Sequence, residues 1–199
     1  MTNTILLGID PGFSHLGYAA LCIAADGASM RCDAFGLFET AKSSKKLSVL
    51  ATEDNLRRAF ELYDALDGLI RSLGDERNVL VGMAAEAMSW PRNAAVTGKM
   101  GIAWGVVASV SRVHRLPILQ ASPQMVKKGV AGSKTATKEE VAAAVLRLVP
   151  SAPKAGGRLT EVAARLPKTK REHPFDALAA ALVCKESQAV QMAIRKASA

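Results

Sequence analysis

The stretch that decides the fold is "ILLGIDPGFSHLGYAALCI", residues 5–23. Ile-Leu-Leu-Gly-Ile is an apolar run of strand length, yet it closes on a carboxylate, Asp10, and then turns at once on Pro11-Gly12. Asp-Pro-Gly is sound turn chemistry by itself, because the Asp side chain bonds its own backbone and Pro presets φ. A carboxylate carried on the tip of a rigid strand is equally suited to act as a ligand or base. The stretch alone supports both readings. What separates them is whether other carboxylates converge on the same point.

Downstream of Asp10 two more strand-like runs follow, 17–24 and 32–39, with a turn at Asp26-Gly27 between them, which predicts a three-strand antiparallel meander. "KSSKK" is a polar loop. Over 52–73 the apolar residues Leu56, Phe60, Tyr63, Leu66 and Ile70 recur at spacings of three and four, a helix. "VLVGMAAE", 79–86, is a fourth strand and again ends on a carboxylate, Glu86. Residues 94–114 predict a helix with Gly98, Gly101 and Gly105 along one side, and "PILQAS", 117–122, a fifth strand. A short helix opens at Pro123 with Ser122 as its cap, and Thr137 with Glu140 makes a capping box for a helix to about residue 149. "PSAPKAGGR" reads as loop, "LTEVAARL" as one or two helical turns, and a last helix covers about 173–196 with Pro174 in its first turn. The expected architecture is α/β: one domain over 1–199, ordered β-β-β-α-β-α-β-α-α, with a five-stranded mixed sheet, helices on both faces and a basic insertion at about 150–171.

With 199 residues, 49% apolar and 5% aromatic, the chain can bury a full core of small side chains. No run approaches the roughly 20 apolar residues of a membrane span, and "MTNTILLGID" lacks a basic region and cleavage site, so no signal peptide is expected. Cys22, Cys32 and Cys184 are not at metal-ligand spacing, and Cys22 and Cys184 lie in apolar stretches, which points to a reduced, cytoplasmic protein. The net charge of +8 is unevenly placed: residues 1–91 carry 8 Lys+Arg against 12 Asp+Glu, residues 92–171 carry 15 against 3, and the remainder 3 against 3. A +12 segment is the footprint of a polyanion partner, nucleic acid before a membrane surface, since no basic helix shows a strong apolar membrane face.

Asp10 and Glu86 each end an apolar strand, where an unpartnered carboxylate is costly. In "EHPFDALAAAL", His173 and Asp176 are three apart and share a face of the first helical turn. Clustered carboxylates repel unless a cation resolves the conflict, and oxygen ligands with one imidazole suit Mg²⁺ or Mn²⁺. Taken singly, each of the four also reads as a turn, surface or capping residue.

"LLGIDPG" with "GY" following, a carboxylate closing the fourth strand, and "H-x-x-D-A-L-A-x-A" near the C-terminus together resemble the RuvC Holliday-junction resolvases of the RNase H-like superfamily, over roughly residues 4–185. The resemblance implies a structure-selective endonuclease that cuts four-way DNA junctions with paired nicks. It implies catalysis by Asp10, Glu86, His173 and Asp176 holding two divalent ions, with Glu172 competing with His173 as the fourth ligand. By the same resemblance "SPQMVKK" nominates Lys127, with Lys128 possible, and "TATKEEV" nominates Lys138 as lysines near the scissile phosphate, general phosphate contacts being the alternative reading for each. Trp90 and Arg92 in "AMSWPRN" are candidates for contact at the junction centre, and Lys99, Lys128 and Lys134 for further DNA contacts. It also implies a homodimer. Rival readings are an actin-like ATPase, which would need a second phosphate motif; a silent junction binder, which would have a broken acidic cluster; and a nuclease of this fold acting on flaps, forks or RNA–DNA hybrids.

Overall fold

The computed structural model describes residues 2–44, 48–88 and 93–198. Strands β1 (Asn3–Asp10), β2 (His15–Ile23) and β3 (Met30–Glu39) form the expected antiparallel meander. β4 (Asn78–Glu86) and β5 (Ile118–Ala121) add in parallel on the other side of β1, giving the order β3-β2-β1-β4-β5. β1 is central and buried along nearly its whole length, which is why it reads as an unbroken apolar run rather than an alternating one.

Two apolar layers flank the sheet. On one side α1 (Ala51–Leu73) and α2 (Ala94–Val113) pack on Ile5, Leu7 and Ile9; on the other α3 (Pro123–Ala131), α4 (Lys138–Leu148) and α6 (Glu172–Cys184) cover Leu6 and Ala84. The helix starts are local chemistry. Ser122 Oγ accepts the amide of Met125 at 3.3 Å, and Thr137 and Glu140 complete their reciprocal capping box.

The turn after Asp10 is pinned by a buried cation. Arg58 on α1 is 1% exposed and donates to Ser14 Oγ at 2.8 Å and Thr40 Oγ1 at 3.0 Å, while its guanidinium lies 4.2 Å over the Phe13 ring. Thr40 in turn donates to the carbonyl of Phe13 at 2.7 Å. Residues 11–14 are thus held by side chains of α1 and the end of β3, and Asp10 inherits that rigidity.

Four expectations are corrected. Leu56 and Phe60 do not join the core: they are 55% and 59% exposed, while Leu66 and Ile70 of the same stripe are buried together with Leu62 and Leu73. α2 has the length and composition to cross a membrane, although here Ala103, Val106, Val107 and Val110 face the sheet. The expected loop at 150–158 is the small hairpin β6 (Ser151–Ala152) and β7 (Gly157–Arg158) around a 3-10 turn, leading into α5 (Leu159–Ala164). The C-terminal helix is two helices, α6 and α7 (Gln188–Ser198), broken near Lys185–Ser187. All three cysteines are buried and unpaired.

Candidate active site

The parallel register sets Ile9 beside Ala85, so Asp10 and Glu86 follow as neighbours on adjoining strand tips. α6 supplies the other half. It lies across β1 and β2 at a distance only glycine permits: a Cβ on Gly8 would fall 2.0 Å from the carbonyl oxygen of Ala177, and one on Gly17 would fall 2.4 Å from the backbone C and O of His173. That approach delivers His173 and Asp176 over the strand tips. Asp10, Glu86, Lys127, Lys138, His173 and Asp176 together line one cavity of about 340 Å³, with Val126 and Val141 among its apolar residues.

Within it, Asp10 Oδ2 lies 2.7 Å from His173 Nδ1. That bond, together with the charges of Asp10, Glu172 and Asp176, holds the imidazole's pKa above its ordinary value despite partial burial. Lys138 Nζ donates to Glu172 at 2.6 Å and sits 3.9 Å from Asp176. Burial opposes the charge on Lys138, but Glu172, Asp176 and Asp10 outweigh it and raise its pKa. Glu172 is held below the usual carboxylate range by Lys138 and is not among the cavity-lining residues. Of the two competing residues the structure therefore brings His173, not Glu172, to Asp10.

The carboxylates are under-compensated. Burial first, and the charge of Asp10 second, raise the pKa of Glu86, with Lys138 and Lys127 offsetting part of it. The same causes push Asp176 up to about 7. Two acids forced toward protonation by their own surroundings form a site lacking positive charge, and the donor set of three carboxylates and one imidazole fits a hard divalent cation in kind. Among the described residues, no three His, Cys, Asp or Glu side chains are drawn together at ligating spacing.

Other sequence candidates fall elsewhere. Trp90 and Arg92 lie outside the described residues. Lys99 lines a separate depression with Lys42, Ser43 and Asp54 and is not among the residues lining the cavity. Lys128 on α3 and Lys134 in the turn before α4 are exposed and do not line the cavity.

Sequence reasoning missed His15. Its ring stacks on that of His173, with centroids 5.6 Å apart and planes 11° from parallel, and its Nε2 is 3.7 Å from Glu39, which also pairs with Lys170. Burial and the charges of His173 and Lys170 lower the pKa of His15. His15 stands inside the opening motif, but its partner is 158 positions away on another element, so no local pattern betrays the pair.

A family model described as "Crossover junction endodeoxyribonuclease RuvC" matches residues 6–156. Curated proteins of that same name are similar to the chain. The one from Gluconobacter oxydans is 33% identical over 147 residues, 74% of this chain and 78% of that protein, and the one from Natranaerobius thermophilus is 28% identical over 69% of this chain and 75% of its own length. Among solved structures, "Thermus thermophilus RuvC structure" superposes with a TM-score of 0.63 at 26% identity, covering 90% of this chain and 92% of that one. A second likeness, at 12% identity and TM-score 0.60 over 96% of this chain and 84% of that one, is the "Crystal Structure of the Yeast Mitochondrial Holliday Junction Resolvase, Ydc2", and it bears on the fold.

Proposed function

Because the chain belongs to the RuvC family of crossover junction endodeoxyribonucleases, we propose that it resolves four-way DNA junctions by paired, symmetric nicks at the cavity between the tips of β1 and β4 and the start of α6. The observation that carries this reading is the convergence of Asp10, Glu86, His173 and Asp176 from three elements onto one cavity flanked by two lysines.

Asp10, Glu86, Asp176 and His173 are the residues that would hold divalent ions, Mg²⁺ or Mn²⁺, two per site. Bound there, such ions supply an activated water and offset the charge on the leaving oxygen. The chain's own residues do the rest. Lys127 and Lys138 present fixed ammonium groups where charge accumulates on the phosphate. His173 is oriented by its bond to Asp10 and by the stacked His15. Glu172 restrains the Lys138 side chain at 2.6 Å, so its ammonium reaches the cleft from a defined position. The one-domain organisation over 1–199 suits this reading, since both core layers share the one five-stranded sheet.

Paired nicks on a two-fold junction call for a two-fold enzyme. Leu56 and Phe60 on α1 and Val96 on α2 are exposed, and Gly98, Gly101 and Gly105 on α2 have open space before them. We assign this face to contact with a second copy.

The test is a gel assay on a labelled four-way junction beside a linear duplex, a flap and an RNA–DNA hybrid, each with Mg²⁺, Mn²⁺ or EDTA. Metal-dependent paired nicks on the junction alone are expected. Cutting of the flap or hybrid instead would keep the chemistry and overturn the substrate. Phe60→Glu should sediment as a monomer in analytical ultracentrifugation and leave single nicks in the gel assay; a dimeric variant with paired nicks would remove that face from the interface.

Metal binding should strengthen with pH. Asp176, raised to about 7, holds its proton below that value and must lose it to serve as a ligand. Between pH 6 and pH 8 Asp176 passes from mostly protonated to mostly ionised, and His173, whose pKa is also raised, must likewise be neutral to ligate, so affinity for Mn²⁺ measured by calorimetry should rise at least about tenfold. An affinity flat across that range would mean that Asp176 does not ligate.

A further inference from the structure

The family match stops at residue 156, before α6 begins at Glu172. The intervening segment is unusually charged and firmly docked. Over 151–171 the chain carries six cationic residues, Lys154, Arg158, Arg165, Lys168, Lys170 and Arg171, against Glu161 alone. Ala152, Leu159, Val162 and Ala163 are buried in the main apolar layer, so the segment is part of the body of the protein and not a loose loop.

Its two ends are tied to the same strand by charge. At one end Lys154 Nζ lies 3.5 Å from Asp33 Oδ2, a carboxylate with no exposed side-chain area that Arg31 Nε also reaches at 2.7 Å. At the other end Lys170 pairs with Glu39. Asp33 and Glu39 are six positions apart on β3, which at strand rise is about 20 Å. Glu39 pairs in register with His15, whose ring stacks on His173. The segment therefore runs as a strap along β3 from the remote part of the sheet to the lip of the catalytic cavity.

The charges divide by role. Lys154 and Lys170 are engaged with Asp33 and Glu39, Arg165 donates to the carbonyl of Gly156 at 3.4 Å, and Arg171 donates to the carbonyls of Leu166 and Ala164 at 2.7 and 3.0 Å, closing the end of α5. Arg158 and Lys168 are exposed, and burying the strap's apolar residues gives no reason for cations at these positions. The strap covers about 20 Å of β3, a length equal to roughly six base pairs of duplex, since B-DNA carries one charge per about 1.7 Å of axis.

We propose that residues 151–171 are a phosphate-binding strap that grips the backbone of one DNA arm, over about six base pairs outward from the cleavage cavity. The proposal rests on the nuclease reading and adds the surface that holds the substrate's arm. The grip is by charge, independent of base sequence.

The test uses Arg158→Glu/Lys168→Glu, with Arg158→Gln/Lys168→Gln as a milder pair. Both sites are exposed, so the melting temperature should not move. Junction binding is followed by fluorescence anisotropy in EDTA over a salt series, and arm protection by hydroxyl-radical footprinting. The reversal pair should weaken binding at least about tenfold at low salt and reduce the slope of log K against log salt by about 2, since two phosphates are no longer neutralised. Protection should fade over the arm phosphates and persist at the junction centre. An unchanged slope and footprint would overturn the strap and point to an acidic protein as the partner of this face. Uniform loss of protection, centre included, would also overturn it, since the charges would then act on the cavity. Wild-type protein with no preference for a junction over linear duplex would overturn the four-way junction as substrate instead, and the footprint on that duplex would still decide whether the strap binds DNA.

Discussion

Asp10→Asn is expected to reduce junction cleavage by at least about 10³-fold, equivalent to about 4 kcal/mol of transition-state stabilisation, while junction affinity stays within about threefold. The substitution keeps the side chain's size and removes its charge. Asp10 is central to the cavity's electrostatics: its charge raises the pKa of both Glu86 and Asp176, and its oxygen orients His173 at 2.7 Å. Asparagine can still bond the imidazole but cannot serve as an anionic ligand. Binding is a separate matter, because residues 92–171 carry a net +12 and phosphate neutralisation supplies most of the affinity. Single-turnover cleavage and anisotropy on the same junction separate the two. Cleavage at the wild-type rate would refute the site assignment, and parallel loss of binding and cleavage would show that Asp10 supports the fold rather than the chemistry.

Gly17→Ala is expected to cost both stability and activity. The new methyl would lie 2.4 Å from the backbone C and O of His173, and a neighbouring main chain cannot rotate away as a flexible side chain can. Either α6 shifts or β2 bends. Overpacking of this kind costs about 1–3 kcal/mol, and for a chain of this length that lowers the melting temperature by about 3–10 °C. Because the clash is at His173 itself, the displaced end of α6 is the one bearing both His173 and Asp176, and a shift of about 1 Å in a catalytic group can cost about 10²-fold in rate. Gly8→Ala, with a contact of 2.0 Å to Ala177 O, should destabilise at least as much. Gly68→Ala on α1 is the control: nothing lies within 4 Å, and removing a helical glycine should stabilise by about 0.5–1 kcal/mol. A Gly17→Ala protein that melts and cuts like wild type would refute the packing argument.

Much of the scaffold was legible because its signals are local. The meander follows from apolar runs separated by Pro-Gly and Asp-Gly turns, α3 and α4 from Ser122 and the Thr137–Glu140 box, and each cap or turn is complete within a few residues. Asp10 and Glu86 were conspicuous as charges at the ends of apolar strands, and His173 and Asp176 as neighbours on one helical turn. Where two surfaces were chemically alike, the pattern was silent. Spacing of three and four on α1 marks an apolar stripe but not which stripe meets the sheet, so Leu56 and Phe60 point outward while Arg58 is buried. β6 and β7 have two residues each and exist by docking against β3, so their residues carry no strand pattern of their own.

The sequence by itself thus determined the order of the five sheet strands with α1 to α4 and the helix caps, because each rests on interactions within a few residues, and it offered Asp10, Glu86, His173 and Asp176 as candidates. The tertiary structure decided that β1 and β4 are adjacent, that Gly8 and Gly17 let α6 close on the strand tips, that His15 stacks on His173, and that Glu172 turns to Lys138. Those facts depend on register and on the separation of packed backbones, and neither quantity is encoded in any short stretch of residues.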